Sequence, residues 1–288
     1  MFRDFIAGKK YVDLHIHTNF SDGTHSVQEI IQMAFQRKLK AISITDHDCI
    51  DAYPLAQKLG SESGIEIIPG VELSSEIQGV DIHILGYYLD INNKSLISKL
   101  IEFKQARYLR AEKIVENLNR QGIDLRFETV LNIAGNAAIG RPHIAAALLK
   151  EELVYSFREA FDRYIGYESP AYEKKLAMLP QEVFQLIRQA GGVPVLAHPG
   201  VTRVDQRITQ FVNDGLMGIE VFHSEHTAEQ EKLYLHLCKK YNLAHTGGSD
   251  FHNGNQNKSE LGRPKVTYSA VESLREKLED KAIQPLQP

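Results

Sequence analysis

The chain has 288 residues, 43% of them hydrophobic and 24% charged, with a formal net charge of -4. That length can bury one full core as a large domain, or as a domain carrying an insertion. No apolar run reaches the roughly 18 residues a membrane span needs, Met1 to Lys10 lacks a signal-peptide apolar region, and Cys49 and Cys238 are too few for a disulfide framework. The expectation is a cytoplasmic protein with reduced thiols, no membrane partner and no obligate protein partner.

In chain order, Tyr11 to Ile16 reads as a strand. Ser26 with Glu29 forms a capping box ahead of a helix whose buried face is Val27, Ile30, Ile31 and Ala34. Ala41 to Ile44 is a strand, Asp51 to Ser63 a helix, Ile65 to Ile68 a strand, and Val71 to Tyr88 shows strand alternation around Gly79. Repeated strand and helix units of this kind favour a parallel sheet closed, or nearly closed, into a barrel.

From about Asn92 the pattern changes. Leu96, Leu100, Phe103, Ala111, Val115 and Leu118 form a helical stripe, with shorter helical stretches at Phe127 to Ala134, Pro142 to Leu149 and Phe157 to Tyr164. Strands resume at Val193 to Ala197, after a helix over Gln181 to Ala190, and continue at Gly218 to Phe222 and Leu243 to Thr246. The organisation expected is a barrel domain over 1–90 and 181–288, interrupted by a helical insertion over 91–180. The tail Gln284 to Pro288 reads as loose.

Chemistry-bearing residues gather where the strands end. Residues two apart on a strand point to one side, so His15 and His17 can grip one ion. With them stand Asp22, His47, Glu72, His83, His198, Asp250 and His252, each at or just beyond a strand. Nine ligands exceed one ion. At roughly four to six ligands each, with Glu72 as a bridge, they imply two or three divalent ions. Imidazole and carboxylate without thiolate suits manganese, iron or zinc, and manganese is the working expectation. Such a centre activates water and neutralises charge at phosphorus, which points to hydrolysis.

The ordered set His15-x-His17, Ser21-Asp22-Gly23, Thr45-Asp46-His47, Glu72, His83, Ala197-His198-Pro199 and Gly248-Ser249-Asp250-Phe251-His252 resembles the polymerase and histidinol phosphatase (PHP) family. The resemblance implies a distorted (β/α)7 barrel with an inserted helical subdomain. It implies one metal held by His15, His17, Glu72 and Asp250, a second by Glu72, His83 and His198, and a third by Asp22, His47 and His252. Glu72, Asp250 and His198 carry catalysis in this reading, with a hydroxide bridging two metals as nucleophile.

Gly140-Arg141-Pro142-His143 and the insertion resemble the branch containing a 3′,5′-nucleoside bisphosphate phosphatase and a 5′→3′ exoribonuclease. The substrate implied is a small phosphorylated nucleotide or a short 5′-phosphorylated RNA. Arg141 has a forked donor set suited to phosphate, and His143 and His223 are further candidates for substrate contact. The insertion carries 14 Lys and Arg against 11 Asp and Glu, so the basic balance lies there, while the rest of the chain is acidic.

Competing readings are a histidinol-phosphate-type phosphatase, a metal-dependent amidohydrolase and a non-catalytic metal-binding module. His25, His226, His236 and His245 read as structural. Tyr172, Lys174 and Lys175 read by default as a solvated face, and Cys49 is expected near the site.

Overall fold

The computed structural model describes residues 9–252 and 259–283. Met1 to Gly8 and the Gln284 to Pro288 tail lie outside the described residues. Strand β1 (Tyr11–Ile16) is followed by α1 (Val27–Gln36), β2 (Leu39–Ile44), α2 (Tyr53–Ser63), β3 (Glu66–Ile67), β4 (Gly70–Ile77) and β5 (Val80–Tyr87). The capping box forms as the sequence predicts: the Ser26 side chain accepts from Glu29 N–H, and Ser26 N–H donates to the Glu29 carboxylate.

A helical stretch then runs through α3 (Lys94–Arg120), α4 (Phe127–Ala134), α5 (Arg141–Lys150) and α6 (Phe157–Glu159), which widens into a π-helical turn over Ala160–Ile165. That turn ends at Gly166, where a Cβ would lie 2.5 Å from Phe161 O. The close approach needs glycine, and it replaces the plain helix expected to Tyr164. Helix α7 (Pro180–Gln189) leads back to β6 (Val193–Leu196) and α8 (Pro199–Thr202). A 3-10 turn (Asp205–Arg207), α9 (Ile208–Asn213), β7 (Gly218–His223), α10 (Ala228–Tyr241), β8 (Ala244–Gly248), β9 (Val266–Thr267) and α11 (Ser269–Ile283) complete the order.

The mixed α/β fold expected from the sequence is present, but the strands do not close into one parallel barrel. They form two sheets, ordered β3-β2-β1-β9 and β4-β5-β6-β7-β8. The edges meet at isolated bridges, Ile16 with Phe251 and His47 with Glu72. Pairing is mixed, because β4 is antiparallel to β5, β5 to β6, and β1 to β9. The cause at β4 and β5 is local. Only Gln78 and Gly79 join them, both at positive φ (52° and 83°), and a two-residue turn of that kind can only return the chain antiparallel.

Buried apolar clusters fill the sheets and their covering helices, while the helical stretch from Ala111 to Ala171 has its own cluster. Helix α3 enters both. Leu96, Leu100 and Phe103 pack with the sheet core, and Ala111, Ile114, Val115 and Leu118 pack with the helical one. This 27-residue helix, about 40 Å long, ties the helical part to the sheets.

Candidate metal centre and substrate cleft

The strands deliver the candidate ligands to one place. His15 lies in β1 and His17 just past it. His47 follows β2, Glu72 lies in β4, His83 in β5, His198 follows β6, and Asp250 and His252 follow β8. Asp22 comes from the loop after β1, folded tightly enough that a Cβ on Gly23 would lie 2.4 Å from His17 O. Two ligands sit on left-handed backbone, His198 at φ 27° and Asp250 at φ 50°. This conformation costs non-glycine residues energy and here aims side chains at the centre.

Glu72 is the hub. One of its oxygens lies 3.2 Å from His15 Nε2, 3.1 Å from His17 Nε2 and 3.1 Å from His47 Nδ1. The other lies 2.9 Å from His83 Nδ1 and 3.1 Å from His198 Nε2. Asp250 Oδ1 is 3.3 Å from His15 Nε2 and 3.2 Å from His17 Nε2, and Asp22 Oδ1 is 3.2 Å from His252 Nε2.

Three sets offer ligand atoms within 4.8 Å of one another: His15, His17, Glu72 and Asp250; His17, Asp22, His47 and His252; and His47, Glu72 and His83. His17 joins a second set, and His47 joins Glu72 and His83. In the assignment implied by the resemblance, His198 accompanies Glu72 and His83 instead.

The donor chemistry fits divalent ions. His15 Nε2, His17 Nε2, His47 Nδ1 and Glu72 Oε2 are buried without a well-formed hydrogen bond, a state that is expensive unless an ion is held there. Tautomers agree. His15 Nδ1 donates to Glu220 Oε1 at 3.0 Å, and His252 Nδ1 donates to Asp250 O at 3.0 Å, which leaves each Nε2 lone pair facing the cluster. Burial alone would raise the Glu72 carboxyl, but His47, His15 and His83 hold it well below the usual carboxylate range. Burial drops the His47 imidazole to about 3, while Asp22 and Asp250 overcome burial at His252 and, without an ion, lift it to about 10, so an ion bound there would displace the Nε2 proton.

Four buried carboxylates that the ligand reading passed over build the frame. Glu220 accepts from His15 and, at 2.8 Å, from His198 N–H. Asp46 accepts from Thr18 N–H, Thr18 Oγ1 and Ser21 Oγ, pinning the Asp22 loop. Asp13, pushed by burial to about 6, accepts from Ser249 N–H and Gly262 N–H and pins the Asp250 loop. Asp48 accepts from Ser74 N–H at 2.8 Å. The signal available in sequence is a carboxylate inside an apolar strand: Asp13 between Val12 and Leu14, Glu220 between Ile219 and Val221.

A cleft of about 300 Å³ opens over the cluster. Asp22, His47, His83 and His198 line it together with Arg107, Arg110, Arg141 and Lys175. Arg141 has no carboxylate within ion-pair distance among the described residues. It lies 4.4 Å from the Tyr167 ring centre and 5.6 Å from that of Phe161. Burial, then Arg141 and Arg107, lower the Arg110 guanidinium to about 10, which marks crowded like charge. Lys175 corrects the solvated-face expectation. Its side chain is only 13% exposed and pairs with Asp81 at 3.3 Å, because α3 and β5 close over it, while Lys174 remains 69% exposed beside Glu76.

His143 and His223 are not on the cleft wall. His143 is buried, its Nδ1 accepting from Gly140 N–H at 3.0 Å. His223 is buried, with Nδ1 accepting from Glu225 N–H and Nε2 3.5 Å from Asp250 Oδ2. His226 donates to Val221 O and accepts from Gly200 N–H, a structural use of both nitrogens. Cys49 is buried in a neighbouring cavity that also includes Asp48. Among the described residues no helix is long and apolar enough to cross a membrane.

The PHP domain model matches residues 13–284. The chain is similar to a 5'-3' exoribonuclease of Haemophilus influenzae, 32% identical over 85% of this chain and 90% of that one. It is also similar to a 3',5'-nucleoside bisphosphate phosphatase of Chromobacterium violaceum, 28% identical over 95% and 98%. A solved structure from Bifidobacterium adolescentis, provisionally assigned as a metal-dependent phosphoesterase, superposes with a TM-score of 0.85 at 30% identity, covering 92% of this chain and 95% of that one. The chain belongs to the PHP-domain family, as a metal-dependent hydrolase of phosphoric esters.

Proposed function

We propose that the protein hydrolyses a phosphate ester of a small nucleotide bearing a second anionic group, such as a 3′,5′-nucleoside bisphosphate or the end of a short 5′-phosphorylated RNA. The observation that carries this reading is the cleft itself, a space of about 300 Å³ lined both by Arg110, Arg141 and Lys175 and by the cluster residues Asp22, His47, His83 and His198. A ligand with one phosphate at the cluster and another anion beyond it gains charge-assisted hydrogen bonds worth roughly 1.5 to 3 kcal/mol each. A simple monoester lacks that gain.

His15, His17, Asp22, His47, Glu72, His83, His198, Asp250 and His252 would hold two to three divalent ions, manganese first among them. Those ions supply an activated water and neutralise charge at phosphorus. The chain's own residues do the rest. Glu72 and Asp250 space the imidazoles and bring negative charge that the ions offset. Glu220 keeps His15 in the tautomer that ligates, and it fixes the His198 backbone. His223, with Nδ1 occupied by Glu225 N–H, carries its proton on Nε2, within 3.5 Å of Asp250. Tyr167 and Phe161 flank Arg141 and hold its fork over the cleft. The helical subdomain over 91–180 contributes the cationic wall, and the barrel-like part over 1–90 and 181–288 contributes the metal centre.

An amidohydrolase reading is weaker, since Lys175 pairs with Asp81 and not with a ligand residue. The test is a substrate panel with manganese and with excess chelator: 3′,5′-bisphosphates, 5′-phosphorylated oligoribonucleotides, histidinol phosphate and an amide ester series. Chelator-sensitive turnover concentrated on the first two classes is expected. Turnover concentrated on amides or on histidinol phosphate would overturn the proposal.

A further inference from the structure

One charged pair outside the ligand set joins the helical part to the metal centre. Arg107, on α3, donates from Nε at 2.9 Å and from Nη2 at 2.5 Å to Asp48 Oδ2, and from Nη2 to Ser74 Oγ at 3.2 Å. Asp48 is 2% exposed, and the Arg107 side chain is 15% exposed. Asp48 itself sits at φ 51° and donates its N–H to Glu72 O at 2.9 Å. Its carboxylate receives Ser74 N–H and Ser74 Oγ at 2.8 and 2.9 Å. On either side of this knot are the ligand candidates His47, adjacent in sequence, and Glu72, two residues before Ser74.

The position matters because the two sheets are not hydrogen-bonded continuously there. At this edge they meet through the isolated bridge between His47 and Glu72. Two backbone bonds hold His47 beside Glu72, Asp48 N–H to Glu72 O at 2.9 Å and Glu72 N–H to Asp46 O at 3.3 Å, and with no β2–β4 ladder beyond them the Asp48 knot is the side-chain brace that reinforces their spacing. Arg107 closes the knot from α3. A point charge at this place would neutralise Asp48 but would not span Asp48 and Ser74 together, as the planar fork does. Arg107 lines the substrate cleft, and its partner Asp48 lines a neighbouring cavity of about 470 Å³.

We propose that Arg107 is a positioning residue for the metal centre: through Asp48 and Ser74 it braces the separation of His47 and Glu72 across the seam between the sheets. The inference rests on reading the imidazole and carboxylate cluster as the metal centre. It assigns Arg107 a role distinct from that of Arg141, which contacts no ligand-bearing loop through a carboxylate.

The test measures manganese stoichiometry and affinity by chelator competition, together with the unfolding temperature of the metal-free protein and the kcat and KM of the loaded one. The proteins are wild type, Arg107→Lys, Arg107→Gln and the Asp48→Asn/Arg107→Gln double variant, which removes the buried charges together. Arg107→Gln is expected to weaken at least one ion by about 10- to 100-fold, the usual consequence of losing an outer partner of a ligand. Lys is expected to restore the unfolding temperature but not the affinity. If Arg107→Gln does not fold, the double variant decides, with the same weakening expected. Wild-type affinity in the folded variants, with only a lowered unfolding temperature, would overturn the proposal in favour of a plain strut. A raised KM at unchanged metal affinity would overturn it in favour of direct substrate contact. Failure of the wild type to bind any ion would instead overturn the metal-centre reading on which it rests.

Discussion

Glu220 and His15 form a buried pair at the floor of the site, with His15 Nδ1 3.0 Å from Glu220 Oε1 and both side chains wholly inaccessible to solvent. The same carboxylate holds His198 N–H through its other oxygen. A change of Glu220 to Gln keeps the volume and removes the charge that makes His15 a strong, correctly oriented donor. It is expected to weaken metal binding by about 10- to 100-fold with the fold retained. Chelator competition beside far-ultraviolet dichroism checks this, and unchanged affinity would leave Glu220 a packing residue.

The ligand inventory requires more than one ion. Purified protein supplemented with manganese or iron is expected to carry two to three ions per chain by elemental analysis, and Asp22→Asn is expected to lose one of them selectively. Finding at most one ion in the wild type would contradict the multinuclear reading.

Turnover should separate the cluster from the bystander histidines. His17→Ala, Glu72→Gln and Asp250→Asn are each expected to lower kcat by several orders of magnitude. His236→Ala, on the exposed face of α10, should change it little. Equal damage from His236→Ala in a folded protein would dissolve the distinction.

Burial raises the thiols of Cys49 and Cys238 to about 12. Neither should react with a disulfide reagent in the native protein at pH 8, because too little thiolate is present. Both should react on unfolding. Rapid labelling of the native protein would show that one of the two sites opens.

The sequence carried much of the local structure and named most of the side chains that the fold brings together in the candidate site, for physical reasons. The capping box at Ser26 and Glu29 and the His15 to His17 spacing are local signals, and the two imidazoles do share a face. The sheet closure was not legible, because two separate sheets and a continuous barrel share the same strand order. What separates them is ladder continuity at the seam between His47 and Glu72. The antiparallel β4 and β5 pair was in principle readable from the two-residue Gln78-Gly79 link. Lys175 was misread because its neighbours in sequence are polar, whereas its neighbours in space are Asp81 and the underside of α3. Arg107 and Arg110 left no trace, since on a charged helix nothing local distinguishes an inward arginine from a solvated one.

The central claim is that the cationic wall reads a second anionic group on a nucleotide whose ester is cleaved at the metal centre. It is tested most directly by the ratio of kcat/KM for a 3′,5′-nucleoside bisphosphate to that for a simple aryl phosphate, in wild type and in Arg141→Ala. Arg141 has no carboxylate partner among the described residues and lines the same cleft as His83 and His198. Its loss should cost binding of the second anion alone. The account predicts a large ratio in the wild type that falls about ten-fold or more in the variant, since a factor of ten corresponds to roughly 1.4 kcal/mol of differential binding. Hydrolysis of the aryl phosphate should stay nearly unchanged. An equal loss on both substrates, or no loss on either, would contradict it.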